Sequence, residues 1–129
     1  PIAGGEHEYT RWGFKVLLDN ESVDVVQADP DWTGGISEMV KICALSSAYD
    51  KPVFPHGHSV LPALHLIAAQ SPETCPLLEY LIKFNPQKQW FHKVKYMPEG
   101  GIVQLPQAPG LGIELDEERI QARTELCWR

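Results

Sequence analysis

The sequence predicts an α/β fold with parallel strands, on three observations. Short apolar or β-branched runs alternate with longer runs of helical period. The short runs are near-continuously apolar, as in strands covered on both faces. Acid and base side chains recur where each of these runs ends.

Residues 1–5 form the first predicted strand, running into Glu6 and His7. Tyr9, Trp12, Gly13, Val16 and Leu17 then fall at helical spacing, and Asp19 and Asn20 supply a stop. Residues 23–29 make the second strand, with Pro30 and the pair Gly34 and Gly35 as its turn. Ile36, Met39, Val40, Cys43, Ala44 and Ser47 share one helical face with Thr33 as N-cap, and residues 51–55 form a third strand. Residues 60–70 are apolar almost all round, which predicts a helix covered on more than one side; Pro62 is tolerated in its first turn. Alternation of this kind implies right-handed βαβ units. After residue 82 the rhythm breaks. Gly100 and Gly101, between Tyr96-Met97 and Ile102-Val103, predict a hairpin, and PQAPGLGIELD a loop with a short strand. Two regions result, residues 1–82 with the βα units and residues 83–129 as a tail of another kind.

At 129 residues, 43% of them hydrophobic, the chain has material for one core. Its 17 acidic and 11 basic residues give a net charge of −6 without a basic cluster, which argues against nucleic acid as a partner. No apolar run approaches the roughly 20 residues that cross a bilayer, and the N-terminus lacks the layout of a signal peptide. Cys43, Cys75 and Cys127 fit neither a disulfide framework nor a zinc knuckle, so a cytoplasmic location is expected. Pro1 stands without an initiator Met, which points to a processed product or a piece of something longer.

In a parallel α/β sheet, ligands gather at the carboxyl ends of the strands. There the sequence places Glu6, Asp29, His56 and Glu79, separated by 23, 27 and 23 residues, about one βα unit each. Singly each has a plainer reading. Asp29 before Pro30 suits a helix N-cap, Glu6 a solvated charge, and His56 a core histidine bonded to backbone. His7, His58, His65 and His92 each read first as structural. Yet Gly57 beside His56 permits a close backbone approach that a structural histidine does not need, and Glu79 in an apolar run requires a partner. Taken together, the four suit proton abstraction next to a carboxylate. That chemistry needs a base working near neutral pH and positive charge on the dianionic intermediate, for which imidazole and Mg²⁺ are suited. Asp29 bonded to His56 would fix its tautomer, Glu6 is a hard oxygen ligand for Mg²⁺, and a protonated or strongly hydrogen-bonded Glu79 would donate to the substrate carboxylate.

The motifs GGEHE at 4–8, VQADPDWTGGISE at 26–38, VFPHGHS at 53–59, CPLLEYL at 75–81 and PGLGIELD at 109–116 resemble, in order, those of the enolase superfamily. The likeness is to its mandelate racemase branch, and there to the acid-sugar dehydratases similar to L-rhamnonate dehydratase. It implies the C-terminal part of a (β/α)₈ TIM barrel, its last strands and helices, followed by a tail belonging to the capping domain. It also implies roles: Glu6 as third ligand of Mg²⁺, Asp29 as partner of the base, His56 as that base, Glu79 as the carboxyl stabilising the enediolate. His7 matches a histidine of the rhamnonate-type subgroup that helps in acid/base work. The implied substrate is a small sugar acid, dehydrated to a 2-keto-3-deoxy acid. His58 departs from the small hydroxyl residue usual at its position.

The family's other two metal ligands lie on earlier strands, so the chain is expected to need a missing N-terminal part of a protein of about 400 residues. Alone it is expected to be inactive and poorly stable, and in full a homo-oligomer. Two other readings stand beside this one. His56 and His58 resemble the paired-histidine metal motif of amidohydrolase barrels, since alternate strand residues share a face; and the chain could be a non-catalytic or degenerate paralogue serving as a binding module.

Overall fold

A computed structural model describes residues 1–127, so the last two residues of the predicted tail, 128 and 129, lie outside the described residues. The chain is α/β. Strand β1 (Ala3–Gly4) pairs in parallel with β2 (Val25–Val26). Val53 continues the order through a parallel bridge to Val26, with hydrogen bonds from Val26 N–H to the Pro52 carbonyl and from Phe54 N–H to the Val26 carbonyl, both 2.9 Å. A fourth segment follows on the far side. Val53 N–H donates to the Thr74 carbonyl at 2.7 Å and Glu79 N–H to the Pro55 carbonyl at 3.3 Å. The third predicted strand is thus reduced to one bridge. Pro52 and Pro55 have no N–H to give a ladder, so the segment is extended and hydrogen-bonded without regular pairing.

Between the strands run α1 (Thr10–Asp19), the single turn α2 (Pro30–Thr33) and α3 (Ile36–Ala48); α4 (Val60–Ala68) follows the third segment and the short α5 (Asn85–Lys88) opens the tail. These helices stand close to the expected positions, but two of their faces are rotated. On α1 the buried side chains are Phe14 and Leu18, while Tyr9 and Val16 are exposed and Trp12 is 63% exposed. Gly13 lies under the folded-back Glu8 side chain. The helix carries two apolar stripes, and periodicity alone does not say which one meets the strands. On α3, Met39, Ile42, Cys43 and Ser46 are buried while Val40, Ala44 and Ser47 are exposed. Thr33 does not cap α3. It ends α2, and Gly35 occupies the cap with a φ of +89°.

The core is formed by Phe14, Leu18, Val26, Met39, Ile42, Val53 and Leu66, all buried. Arg11 ties α1 to α3, its guanidinium meeting both oxygens of Glu38 at 2.9 and 3.0 Å and its N–H reaching the same carboxylate at 2.9 Å. As the sequence predicts, α4 is covered twice. Leu66 faces this core, whereas Val60, Leu61 and Leu64 pack with Leu78, Tyr80, Tyr96, Val103 and Leu105. The predicted hairpin is a tight turn, bridged between Glu99 and Ile102, with positive φ at Gly100 and Gly101; a second bridge joins Leu115 to His92. The three cysteines are unbridged thiols, with Cys43 and Cys75 buried together. No helix among the described residues is long and apolar enough to cross a membrane.

The rotated face of α1 has a measurable consequence. Phe14→Ala is expected to lower the unfolding free energy of this chain by about 3–5 kcal/mol, and Trp12→Ala by no more than about 0.5 kcal/mol, in denaturant titrations.

Glu38 supplies a second test. The Arg11 backbone N–H, with Lys41 and the Arg11 guanidinium, holds its carboxyl at about 2. A depressed carboxyl stabilises the fold above its unfolded value, and that contribution is lost as pH falls through the folded one. Melting temperatures should therefore fall between about pH 4.5 and pH 2. In Glu38→Gln that part of the decline should be absent.

Candidate active site

Parallel strands set their carboxyl ends side by side, and the four predicted groups follow those ends. Glu6 lies two residues after β1, Asp29 three after β2, His56 three after the bridging Val53, and Glu79 in the fourth segment. His56 is the centre. Its Nδ1 meets Asp29 Oδ2 at 2.9 Å, and its Nε2 lies 3.2 Å from Glu6 Oε2 and 3.9 Å from Glu79 Oε2. His56 N–H also donates to the Ala28 carbonyl at 3.0 Å, which fixes the backbone beneath the ring.

Asp29 is fully buried and uses both oxygens. Oδ1 accepts the Asp31 N–H at 2.7 Å, capping α2, while Oδ2 holds the histidine. Asp29 thus caps α2 and hydrogen-bonds His56 at the same time. A carboxylate only accepts, so its hydrogen bond places a proton on Nδ1 and leaves Nε2 facing Glu6 and Glu79. Glu79 is fixed by donors to one oxygen. Gln27 Nε2 and Gly57 N–H approach Oε2 at 3.2 and 3.4 Å, which leaves Oε1 for other partners. Gly57 is required for this approach, because a Cβ there would stand 2.3 Å from the Glu79 carbonyl oxygen.

His7 stands at the margin. Its Nε2 is 3.9 Å from Glu6 Oε1, and its ring packs edge-on against Trp32 with centroids 5.0 Å apart. It faces Glu6 rather than His56. The sequence reading missed Gln27, although Gln27 and Asp29 lie on the same strand at alternate positions and share a face. It also missed Trp32, Asn85 and Lys88, for which the sequence carries no local signal.

Two groups bear on a metal ion. Glu6 is half exposed, and among the described residues its charged partners are His7 and His56. An unprotonated Nε2 and a carboxylate oxygen both accept, so at 3.2 Å they call for a shared proton or a nearby cation. Glu6 therefore fits a hard cation, as one ligand of several. Asp29, Asp31 and His58 also lie within 4.8 Å of one another. There the cation's place is taken, since Lys88 Nζ sits 3.0 Å from Asp31 Oδ2 and 2.6 Å from His58 Nδ1. Although burial opposes it, the Ser59 hydroxyl and Lys88 hold the Asp31 carboxyl below its usual range. His56 and His58 thus serve different partners, and their rings lie parallel with centroids 6.3 Å apart.

The Gly57 contact can be probed directly. Gly57→Ala is expected to lower the unfolding free energy by about 1–3 kcal/mol, because the opposing atoms are main chain and have no room to yield, a change that thermal or denaturant unfolding would register.

Comparison with known proteins places the chain in a family. The L-rhamnonate dehydratase of Saccharopolyspora erythraea is 38% identical over 121 residues, which are 88% of this chain and 30% of that protein. A member of the enolase superfamily from Salmonella Typhimurium superposes on 92% of the chain with a TM-score of 0.76 at 35% identity, covering 31% of that structure. The 3,6-anhydro-D-galactonate cycloisomerase of Zobellia galactanivorans does so over the same share with a TM-score of 0.79 at 34% identity, covering 34% of its own chain. The chain spans about 30% of the length of the curated relatives it matches. Residues 1–119 match the family described as Enolase C-terminal domain-like, and the chain belongs to that family.

Proposed function

We propose that this chain carries the base and the acid of a Mg²⁺-dependent acid-sugar dehydratase. The observation that supports it most directly is His56, with Asp29 on one ring nitrogen and Glu6 and Glu79 converging on the other. Relatives named dehydratases, at 38–39% identity, supply the reaction class.

In this reading the chain forms the last βα units of a (β/α)₈ barrel, and residues 83–129 pack on its capping domain. Nε2 of His56 takes the proton from C2 of a sugar acid, while Asp29 holds the imidazolium through Nδ1. Glu79 meets one oxygen of the substrate carboxylate through Oε1, its other oxygen being held by Gln27 and Gly57. The enediolate then expels the C3 hydroxyl, which leaves as water with the proton that His56 returns. The enol tautomerises to the 2-keto-3-deoxy acid. His7 assists proton transfer from its place beside Glu6. Glu6 would be one ligand of Mg²⁺, whose charge when bound stabilises the dianion.

Earlier strands would supply the remaining ligands. Beside β1, exposed Ile2, Tyr9, Trp12 and Val16 offer an apolar face where preceding units would pack. The paired-histidine hydrolase reading has no support in the geometry, because Lys88 occupies His58.

In the full-length protein, Mg²⁺ with a panel of sugar acids should yield a 2-keto-3-deoxy product, and chelation should abolish it. His56→Asn should reduce kcat by about 100- to 10,000-fold. An unchanged rate would favour the non-catalytic paralogue. The 129-residue chain alone should dehydrate nothing.

A further inference from the structure

The loop that presents His56 is gripped from behind by a single turn of the tail. Helix α5 is only four residues long, and its first and last members, Asn85 and Lys88, share a face at i, i+3. Asn85 is 1% exposed, and its Nδ2 donates to the Gly57 carbonyl at 2.7 Å. It also reaches the Leu81 carbonyl at 3.3 Å. Lys88 Nζ donates to His58 Nδ1 at 2.6 Å and to Asp31 Oδ2 at 3.0 Å. The turn is itself anchored. The buried Gln89 exchanges hydrogen bonds with the Tyr96 backbone, at 2.6 and 3.2 Å.

These contacts address both halves of the dyad. Gly57 and His58 directly follow His56, and Asp31 is the residue whose N–H caps Asp29 Oδ1. One ammonium group therefore joins the loop that carries the histidine to the loop that carries its carboxylate. On the other side, Gly57 faces the Glu79 main chain so closely that a Cβ there would stand 2.3 Å from its carbonyl oxygen, so the loop lies between the Asn85 side chain and the Glu79 backbone.

We propose that Asn85 and Lys88 are positioning residues for the His56–Asp29 dyad, and that α5 belongs to the working apparatus of the site. Neither touches the space where Nε2 faces Glu6. Both act through Gly57, His58 and Asp31. The proposal rests on His56 being the base, and a loop held within a fraction of an ångström is what proton abstraction from carbon demands.

The test uses the full-length protein with Lys88→Met, Lys88→Arg and Asn85→Ala. Lys88→Met should lower kcat by about 10- to 100-fold with KM within about twofold, and Lys88→Arg should recover most of the loss because it keeps the cation. Asn85→Ala should follow Lys88→Met in direction. Hydrogen exchange of the peptide spanning 53–60 should quicken in both Lys88→Met and Asn85→Ala, while peptides from α1 and α3 stay unchanged. That readout needs no substrate. If no sugar acid is dehydrated by the parent but the 53–60 peptide still loosens, the reaction class falls and the clamp stands. Unchanged exchange, or a kcat loss that Lys88→Arg does not recover, overturns the clamp.

Discussion

The site depends on one carboxylate with two obligations. Asp29 closes the N-terminus of α2 with Oδ1 and grips His56 with Oδ2, and it does so fully buried. A buried charge without partners is costly, so each bond makes the other necessary. The cap fixes where α2 starts, the start fixes the Asp31 amide, and the remaining oxygen then has one direction in which to point. The histidine ring occupies that direction. Its tautomer, its orientation and the nitrogen it offers to Glu6 all follow from this residue.

Around that constraint the parallel order supplies convergence without further devices. Each segment bonds to its neighbour in sequence, so residues just past each strand arrive together. The groups at positions 6, 29, 56 and 79 are delivered by pairing between segments one βα unit apart. The long-range contacts are of another kind. They come from the tail, through Asn85 and Lys88, and from Gln27 on Glu79 across 52 residues.

That division explains what the sequence disclosed. The strand-helix alternation, the placement of α3 and α4 and the rim groups were legible because each rests on local pattern and on the spacing of one βα unit. The buried faces of α1 and α3 were not. Tyr9, Trp12 and Val16 are as periodic as Phe14 and Leu18, and only packing chooses between two apolar stripes. Thr33 was misread because Pro30, not Ile36, starts the first helical turn after β2. Asp29 was weighed as either cap or dyad partner, a choice that dissolves once each oxygen is given its own bond. Asn85 and Lys88 left no local trace, since α5 lies in the tail, outside the strand-helix alternation that marked the other groups.

The near collision between Gly57 and the Glu79 carbonyl has a wider meaning. Two chain segments approach each other there with no room for a side chain between them, so the gap between the imidazole and the neighbouring acid is set by backbone packing. Exchange of side chains that line the mouth without gripping this loop would alter what it admits while leaving that gap intact. A scaffold arranged this way separates the side chains that line the mouth from the backbone that spaces the histidine and the acid.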